Sequence, residues 1–274
     1  MRIAVVAPSS RFDDWQEVAA RVQAVAAARH AAAEIWFHPQ CGKVANHFAG
    51  TDDERAAALI EVANDPAFDA IWFARGGYGS NRIAEQALAA FGPAARSKAW
   101  LGYSDCGFLL AGLYRAGYAD VAHGPMPRDI VREGGEAAVE RALDWLVDRS
   151  AAALEPGLVA GSRHAAFNIT VLNMLLGTAL EPDLAGHVLL LEEIAEHMYA
   201  TDRALFHLAA TPAIRRVAGL RLGRVADVPA NDPEFGEDAE SLVRRWCERY
   251  RIAYLGRADI GHDSANRVVP FGLL

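Results

Sequence analysis

Apolar and polar positions follow a strand–helix rhythm through the first half of the chain. Residues 3–7 form an unbroken apolar run closed by Pro8, the pattern of a fully buried strand, and Ser9 and Ser10 follow as turn or cap residues. Residues 15–28 carry apolar positions at helical spacing in an Ala-rich stretch, and Ala has the highest helix propensity. Residues 33–37 read as a second short strand. In AGTDDERAAALIEVAND, Thr51 precedes an acidic first turn, so a capped helix is expected there. DAIWFA (69–74) is a third strand running into RGGYGS, and residues 83–91 are helical. AWLG (99–102) is a fourth strand running into YSDCG, with a helix expected over 108–116.

The alternation persists to about residue 150. It predicts a Rossmann-like α/β domain over residues 1–150, a parallel sheet with helices on both faces. Functional loops of such sheets lie at the carboxyl ends of the strands, where both glycine-bearing turns fall. DRSAAALEPGLVAGSRH (148–164) breaks the rhythm, so residues 151–274 are assigned to a smaller, mixed α/β, β-barrel-like domain. Its expected elements are a helix over 168–176, a strand over 187–191, a helix over 201–210 and a strand over 217–222. A loop and charged amphipathic helix over 231–250 and a closing strand in VVPFGLL complete it.

Composition narrows the function classes. Apolar residues make up 52% of the 274 residues and charged residues 23%, which suits globular structure and not disorder. A net charge of −8 repels phosphate backbones, which argues against nucleic acid as the main partner but not against a small anionic substrate. Cys41, Cys106 and Cys247 form no CxxC and no disulfide framework, as expected in a reducing compartment. The start, MRIAVVAPSS, turns polar too soon for a signal peptide, and no window approaches the ~18 apolar residues of a membrane span. The expected location is the cytoplasm, with no membrane partner.

Four segments could carry chemistry. In LGYSDCG, Ser104 follows a buried strand; a tight turn there would expose its hydroxyl and aim the following amides at a developing oxyanion. The alternative is that Ser104 only caps the next helix, and Cys106 stands where a G-x-S-x-G elbow would have glycine. RGGYGSNR (75–82) lets a ligand or another backbone approach closely: a second oxyanion donor, an anion cradle or a plain turn. In LLLEEIAEH, Glu192 follows an apolar strand and is placed to orient an imidazole, as Glu193 or Glu196 would also be. In DIGHDSANRVVP, His262 supplies that imidazole, and Ser, acid, His is a known chain order for a triad. HExxH is absent, and His187, His197 and His207 lie ten apart, so no metal is expected. Cys106 as nucleophile is a weaker alternative to Ser104.

Seven segments taken in order resemble the LD-carboxypeptidase family of serine peptidases, which includes muropeptide LD-carboxypeptidases and microcin-immunity peptidases. They are AGTDDERAAAL, RGGYGSNRI, LGYSDCGFLL, HGPM, FNITVLNMLLGT, LLLEEIAEHMYATDRAL and GHDSANRVVPFG, and they span nearly the whole chain. The resemblance implies two domains and hydrolysis of an amide between an L-centre and a terminal D-amino acid, as in converting a muropeptide tetrapeptide to a tripeptide during peptidoglycan recycling. It implies Ser104 as nucleophile, Glu192 as orienting carboxylate and His262 as general base, with oxyanion donors at the amides of Asp105 and Gly77. Arg75, Tyr78, Asn168 and Arg203 are the implied substrate contacts, with Arg75, Arg203 and Arg267 as candidates for a substrate carboxylate. No cofactor is implied, and the family's habit is a homodimer. Where the family carries Gly-Gly-Asn, this chain has Ala165-Ala166-Phe167-Asn168, and Phe167 is expected to reshape the pocket. The alternatives are a related amidase acting on a peptidyl-nucleotide, an esterase of α/β-hydrolase type, and a non-catalytic binder using the same cleft.

Overall fold

A computed structural model describes residues 1–274. In the first half, strands and helices alternate: β1 (Arg2–Val6), α1 (Trp15–Arg29), β2 (Glu34–Phe37), α2 (Asp52–Asn64), β3 (Ala70–Phe73), α3 (Asn81–Ala89), β4 (Ala99–Gly102), α4 (Gly107–Arg115), β5 (Val121–His123) and α5 (Gly135–Asp148). The second half contains β6 (Arg163–Asn168), α6 (Ile169–Leu175), β7 (His187–Ile194), α7 (Met198–Ala210), β8 (Gly219–Ala226), α8 (Ala239–Tyr250), β9 (Tyr254–Arg257), β10 (Val269–Pro270) and β11 (Gly272–Leu273).

The first sheet has the order β10-β5-β4-β3-β1-β2 and is parallel except for β10. Its central strands are apolar at nearly every position, as burial on both faces requires: all four residues of β3 are buried. The loops after β1, β3, β4 and β5 therefore emerge along one edge. The helix expected from Thr51 starts with a capping box, in which Thr51 accepts from the Glu54 amide and Glu54 accepts from the Thr51 amide.

The second sheet has the order β11-β6-β7-β8-β9 and is parallel except for β11. It has two ends, β11 and β9, where a closed barrel would have none. The closing segment VVPFGLL is two short strands and not one. Val269–Pro270 pairs with β5 in the first sheet and Gly272–Leu273 pairs with β6 in the second, so the tail stitches the sheets together. Phe271 lies at the bend between them, and Gly272, at φ +94, opens the second strand. One apolar core is continuous from Phe73, Trp100 and Leu109 to Phe167, Leu189 and Leu222, so the two sheets are packed and not merely tethered. No helix is long and apolar enough to cross a membrane.

Candidate active site

Ser104 sits in a left-handed backbone conformation, at φ +59, immediately after β4 and one turn before α4. An L-residue held there costs about 1–3 kcal/mol, and such strain persists only where the surroundings enforce it. Gly76 is part of that surrounding. A Cβ on Gly76 would lie 2.9 Å from both Cβ and Oγ of Ser104 and 3.3 Å from the Asp105 nitrogen. The small neighbour that a nucleophile elbow needs thus comes from the RGGYGS loop. Cys106, where the elbow pattern has glycine, is fully buried, and its Sγ lies 3.5 Å from the Arg75 carbonyl. Burial and the nearby Asp105 charge push its thiol well above the usual range, so it stays protonated and unreactive.

Glu192 and Glu193 both lie within β7, which runs three residues further than its apolar run predicts. Successive strand residues face opposite sides, and the two carboxylates part accordingly. Opposite Glu192, β8 carries one extra residue: Leu191 pairs with Leu222, but Glu193 pairs with Val225. This bulge contains Gly223, where a Cβ would lie 2.7 Å from Ile260 and 3.1 Å from the Glu192 Cβ. It also frees the Arg224 amide to donate to the Ile260 carbonyl at 2.9 Å. The loop after β9 thereby lands on β8 and delivers His262 to Glu192.

His262 Nδ1 is 2.5 Å from Glu192 Oε2, and His262 Nε2 is 2.9 Å from Ser104 Oγ. A carboxylate only accepts, so Nδ1 carries the imidazole proton and Nε2 faces the serine hydroxyl as an acceptor. Burial of His262 opposes its charged form, but the charge and hydrogen bond of Glu192 outweigh it, and the net pKa is raised. The His262 backbone is fixed as well. Arg132 donates to its carbonyl at 2.5 Å, and the Gly261 amide donates to Asn266 Oδ1 at 3.2 Å. The same Asn266 oxygen is 3.2 Å from Nε2 of the buried His123. Glu193 points elsewhere: it accepts from Asn168 Nδ2 (2.5 Å), the Thr170 amide (2.9 Å) and hydroxyl (2.8 Å), and the Ile194 amide (3.0 Å). Burial raises its pKa in spite of those donors.

Ser104 lies where two cavities meet. The larger, about 610 Å³, is lined by Tyr78, Glu85, Phe108, Asn168, Glu193 and Glu196 among others, with no Lys or Arg. The smaller, about 230 Å³, holds Arg75, Arg128 and Arg132 beside Asp129 and His262. Gly77, Ser104 and Ile194 line both. Arg128 is paired with Asp14 and Arg132 with Asp129, whereas Arg75 donates only to backbone carbonyls of Arg11 and Gly76. Burial and the neighbouring Arg128 lower the Arg75 pKa, but a guanidinium retains its charge. Arg75 is thus a cation in the cleft with no carboxylate partner.

The other expected contacts divide. Asn168 caps α6 through the Val171 amide and lines the larger cavity, and Tyr78 lies half exposed at its rim. Gly77 adopts φ +107 against Ser10. Arg203 stacks over Tyr199 and lines neither cavity, and Arg267 pairs with Asp259 outside the cleft. Phe167 does not reshape the pocket: it is 1% exposed and packs on Phe271 in the core, because β6 turns that position away from the cleft. Arg128, Asp129 and Arg132 were not singled out from the sequence. Their signal was the run PRDIVR directly after HGPM, at the carboxyl end of β5. The one grouping with metal-ligand geometry, His30, Asp144 and Asp148, lies outside the cleft, and Arg29 already binds Asp144.

Residues 3–124 match the model of the LD-carboxypeptidase N-terminal domain, and residues 162–274 match that of the LD-carboxypeptidase C-terminal domain. The murein tetrapeptide carboxypeptidase of Pseudomonas aeruginosa is 26% identical over 82% of this chain and 78% of its own. The crystal structure of muramoyltetrapeptide carboxypeptidase from Oxalobacter formigenes superposes with a TM-score of 0.80 at 22% identity, covering 99% of this chain and 93% of that one. The microcin C7 self-immunity protein, solved with aspartyl sulfamoyl adenosine, gives 0.79 at 18% identity over 99% and 91%. At such identities these two structures establish a shared fold.

Proposed function

This chain belongs to the LD-carboxypeptidase family, and we propose that it hydrolyses the amide between an L-centre and a terminal D-amino acid of a muropeptide through Ser104, His262 and Glu192. One observation carries the reading: His262 bridges Ser104 and Glu192 at 2.9 and 2.5 Å, at the junction of two cavities.

In this mechanism Ser104 Oγ attacks the scissile carbonyl while His262 Nε2 takes its proton, and Glu192 stabilises the imidazolium. The carbonyl oxygen turns its developing charge toward the amides of Asp105 and Gly77. The imidazolium then protonates the leaving amine, and the D-amino acid departs. Water, deprotonated by His262, hydrolyses the acyl-enzyme and restores Ser104. The leaving carboxylate goes to the smaller, cationic cavity, where Arg75 is the free guanidinium, and the acyl portion goes to the larger one.

A second reading, amide hydrolysis of a peptidyl-nucleotide, draws on the fold shared with the microcin immunity protein. Against it, a nucleotide leaving group would have to enter a cavity of about 230 Å³. Incubation with L,D-linked peptides and with an aminoacyl sulfamoyl adenosine, with products weighed by mass spectrometry, separates the two. Release of D-alanine from a tetrapeptide is expected, and cleavage of the nucleotide analogue alone would replace the first reading by the second. The family reading also carries a cytoplasmic location and a homodimer, which fractionation and sedimentation test.

A further inference from the structure

The residue after Ser104 contributes more than its amide. Asp105 is buried, 4% exposed as a residue, and its Oδ2 accepts from the Ser9 hydroxyl at 2.6 Å and the Ser80 amide at 2.8 Å. Its backbone carbonyl accepts from the Ser80 hydroxyl at 2.5 Å. Ser9 lies in the loop after β1, Ser80 ends the loop after β3, and Asp105 lies in the loop after β4. One buried carboxylate thus ties together three loops at the edge where Ser104 sits. Around it, Ser10 accepts from the Tyr78 amide at 3.0 Å, and the buried Arg55 guanidinium donates to the carbonyls of Pro8 and Gly79.

The loop so held is Arg75-Gly-Gly-Tyr-Gly, with Gly77 at φ +107 and Gly79 at φ +127. Such a sequence has little conformational preference of its own. Its amides can stabilise a developing oxyanion only if they are fixed before the charge appears. A negative carboxylate close to that charge is electrostatically unfavourable, so what recommends it here is geometry.

We propose that the Asp105 carboxylate is a positioning residue that, through Ser9 and Ser80, holds the amides of Gly77 and Asp105 as a preformed oxyanion site. The inference rests on the hydrolytic reading above and extends it to a side chain outside the Ser104–His262–Glu192 relay.

The test compares Asp105→Ala, Asp105→Asn, Ser9→Ala and Ser80→Ala with wild type. The readouts are steady-state hydrolysis of an L,D-tetrapeptide, the rate of Ser104 labelling by a fluorophosphonate, and substrate binding in a Ser104→Ala background. Asp105→Ala is expected to lower kcat and the labelling rate together by roughly 10²–10³-fold, the effect of losing one oxyanion donor. KM and binding in the Ser104→Ala background should stay within about threefold, since removal of one transition-state donor leaves ground-state contacts in place. Asp105→Asn keeps an acceptor oxygen at the Oδ2 position and should recover most of the loss. Folded Asp105→Ala protein with wild-type kcat and labelling would overturn the proposal. So would a loss restored by lowering the temperature, which marks a stability effect alone. If Asp105→Ala does not fold, the two serine variants decide by the same readouts, each expected to lower kcat and labelling with KM held. Wild-type protein that neither hydrolyses nor labels would count against the hydrolytic reading instead.

Discussion

Nδ1 of His262 lies 2.5 Å from Oε2 of Glu192, with the carboxylate wholly out of water and the imidazole nearly so. The pair joins the end of a central strand to a loop seventy positions later, and the bulge at Gly223 makes room for that loop. A buried charge–imidazole pair of this kind fixes the tautomer and stabilises the protonated ring, the two properties a general base beside a hydroxyl requires.

Replacing Glu192 should therefore cost much more than replacing its neighbour. Glu192→Gln keeps a hydrogen-bonding oxygen but loses the charge and can hold the wrong tautomer, so kcat should fall by about 10²–10⁴-fold. Glu193→Gln disturbs the links to Asn168, Thr170 and the Ile194 amide, none of which reaches His262, and should cost less than about tenfold, the scale of a hydrogen bond. Steady-state kinetics of both variants on one tetrapeptide measure the ratio. The reverse order would move the assignment by one residue.

Ser104 should show a trade-off between stability and activity. Ser104→Ala should abolish D-alanine release while keeping the left-handed conformation, so its melting temperature should match wild type. Ser104→Gly relieves that conformation and should raise unfolding stability by up to about 1 kcal/mol while also abolishing activity. Urea unfolding of the three proteins checks the order. A destabilised glycine variant would show that the φ of +59 is not strained here.

Much of this site was legible in the sequence, and the illegible parts share a physical cause. Ser104 and His262 stood out because turns after apolar strands place polar groups at a sheet edge. Glu192 stood out for the same reason, although the strand runs through it to Ile194, a continuation that depends on pairing with β6 and β8. β6 was missed because Ala165 and Ala166 carry no strand preference of their own. Phe167 was misread because the face a strand residue occupies is set by register with its neighbours. The tail was read as one strand because nothing local shows that Val269 and Gly272 pair with different sheets. The sequence offers Arg203 and Arg267 beside Arg75 and does not single out Arg128 and Arg132, because sequence position does not show which arginines converge on a cavity.

The activity should fall on the acid side at a pH above the ordinary imidazole value. His262 must be unprotonated to accept from Ser104, and Glu192 raises its pKa against the effect of burial. The acid limb of kcat/KM should therefore lie above about pH 6.5. In Glu192→Gln, where burial acts without the opposing charge, the limb should shift to lower pH. An unchanged limb in that variant would mean that another group controls it.

His123 predicts a separate dependence, in stability and not in rate. It is fully buried at the end of β5, and desolvation, only partly offset by Glu192 and Asn266, lowers its pKa from 6.5 to about 4. Between those values the unfolded chain binds a proton that the folded chain refuses. The contribution to stability is present above pH 6.5 and is lost as the pH falls toward 4, by about 3 kcal/mol for a shift of this size. His262, whose pKa is raised, acts in the other window: its contribution is complete below the unfolded value and is lost as pH rises through the folded one. The two effects are thus separable on the pH axis. His123→Gln can still donate to Asn266 but does not titrate, so its unfolding free energy should decline less than that of wild type between pH 6.5 and 4. Urea unfolding at several pH values in that range measures the difference. Parallel curves would show that His123 is not the group whose burial makes the fold acid-sensitive.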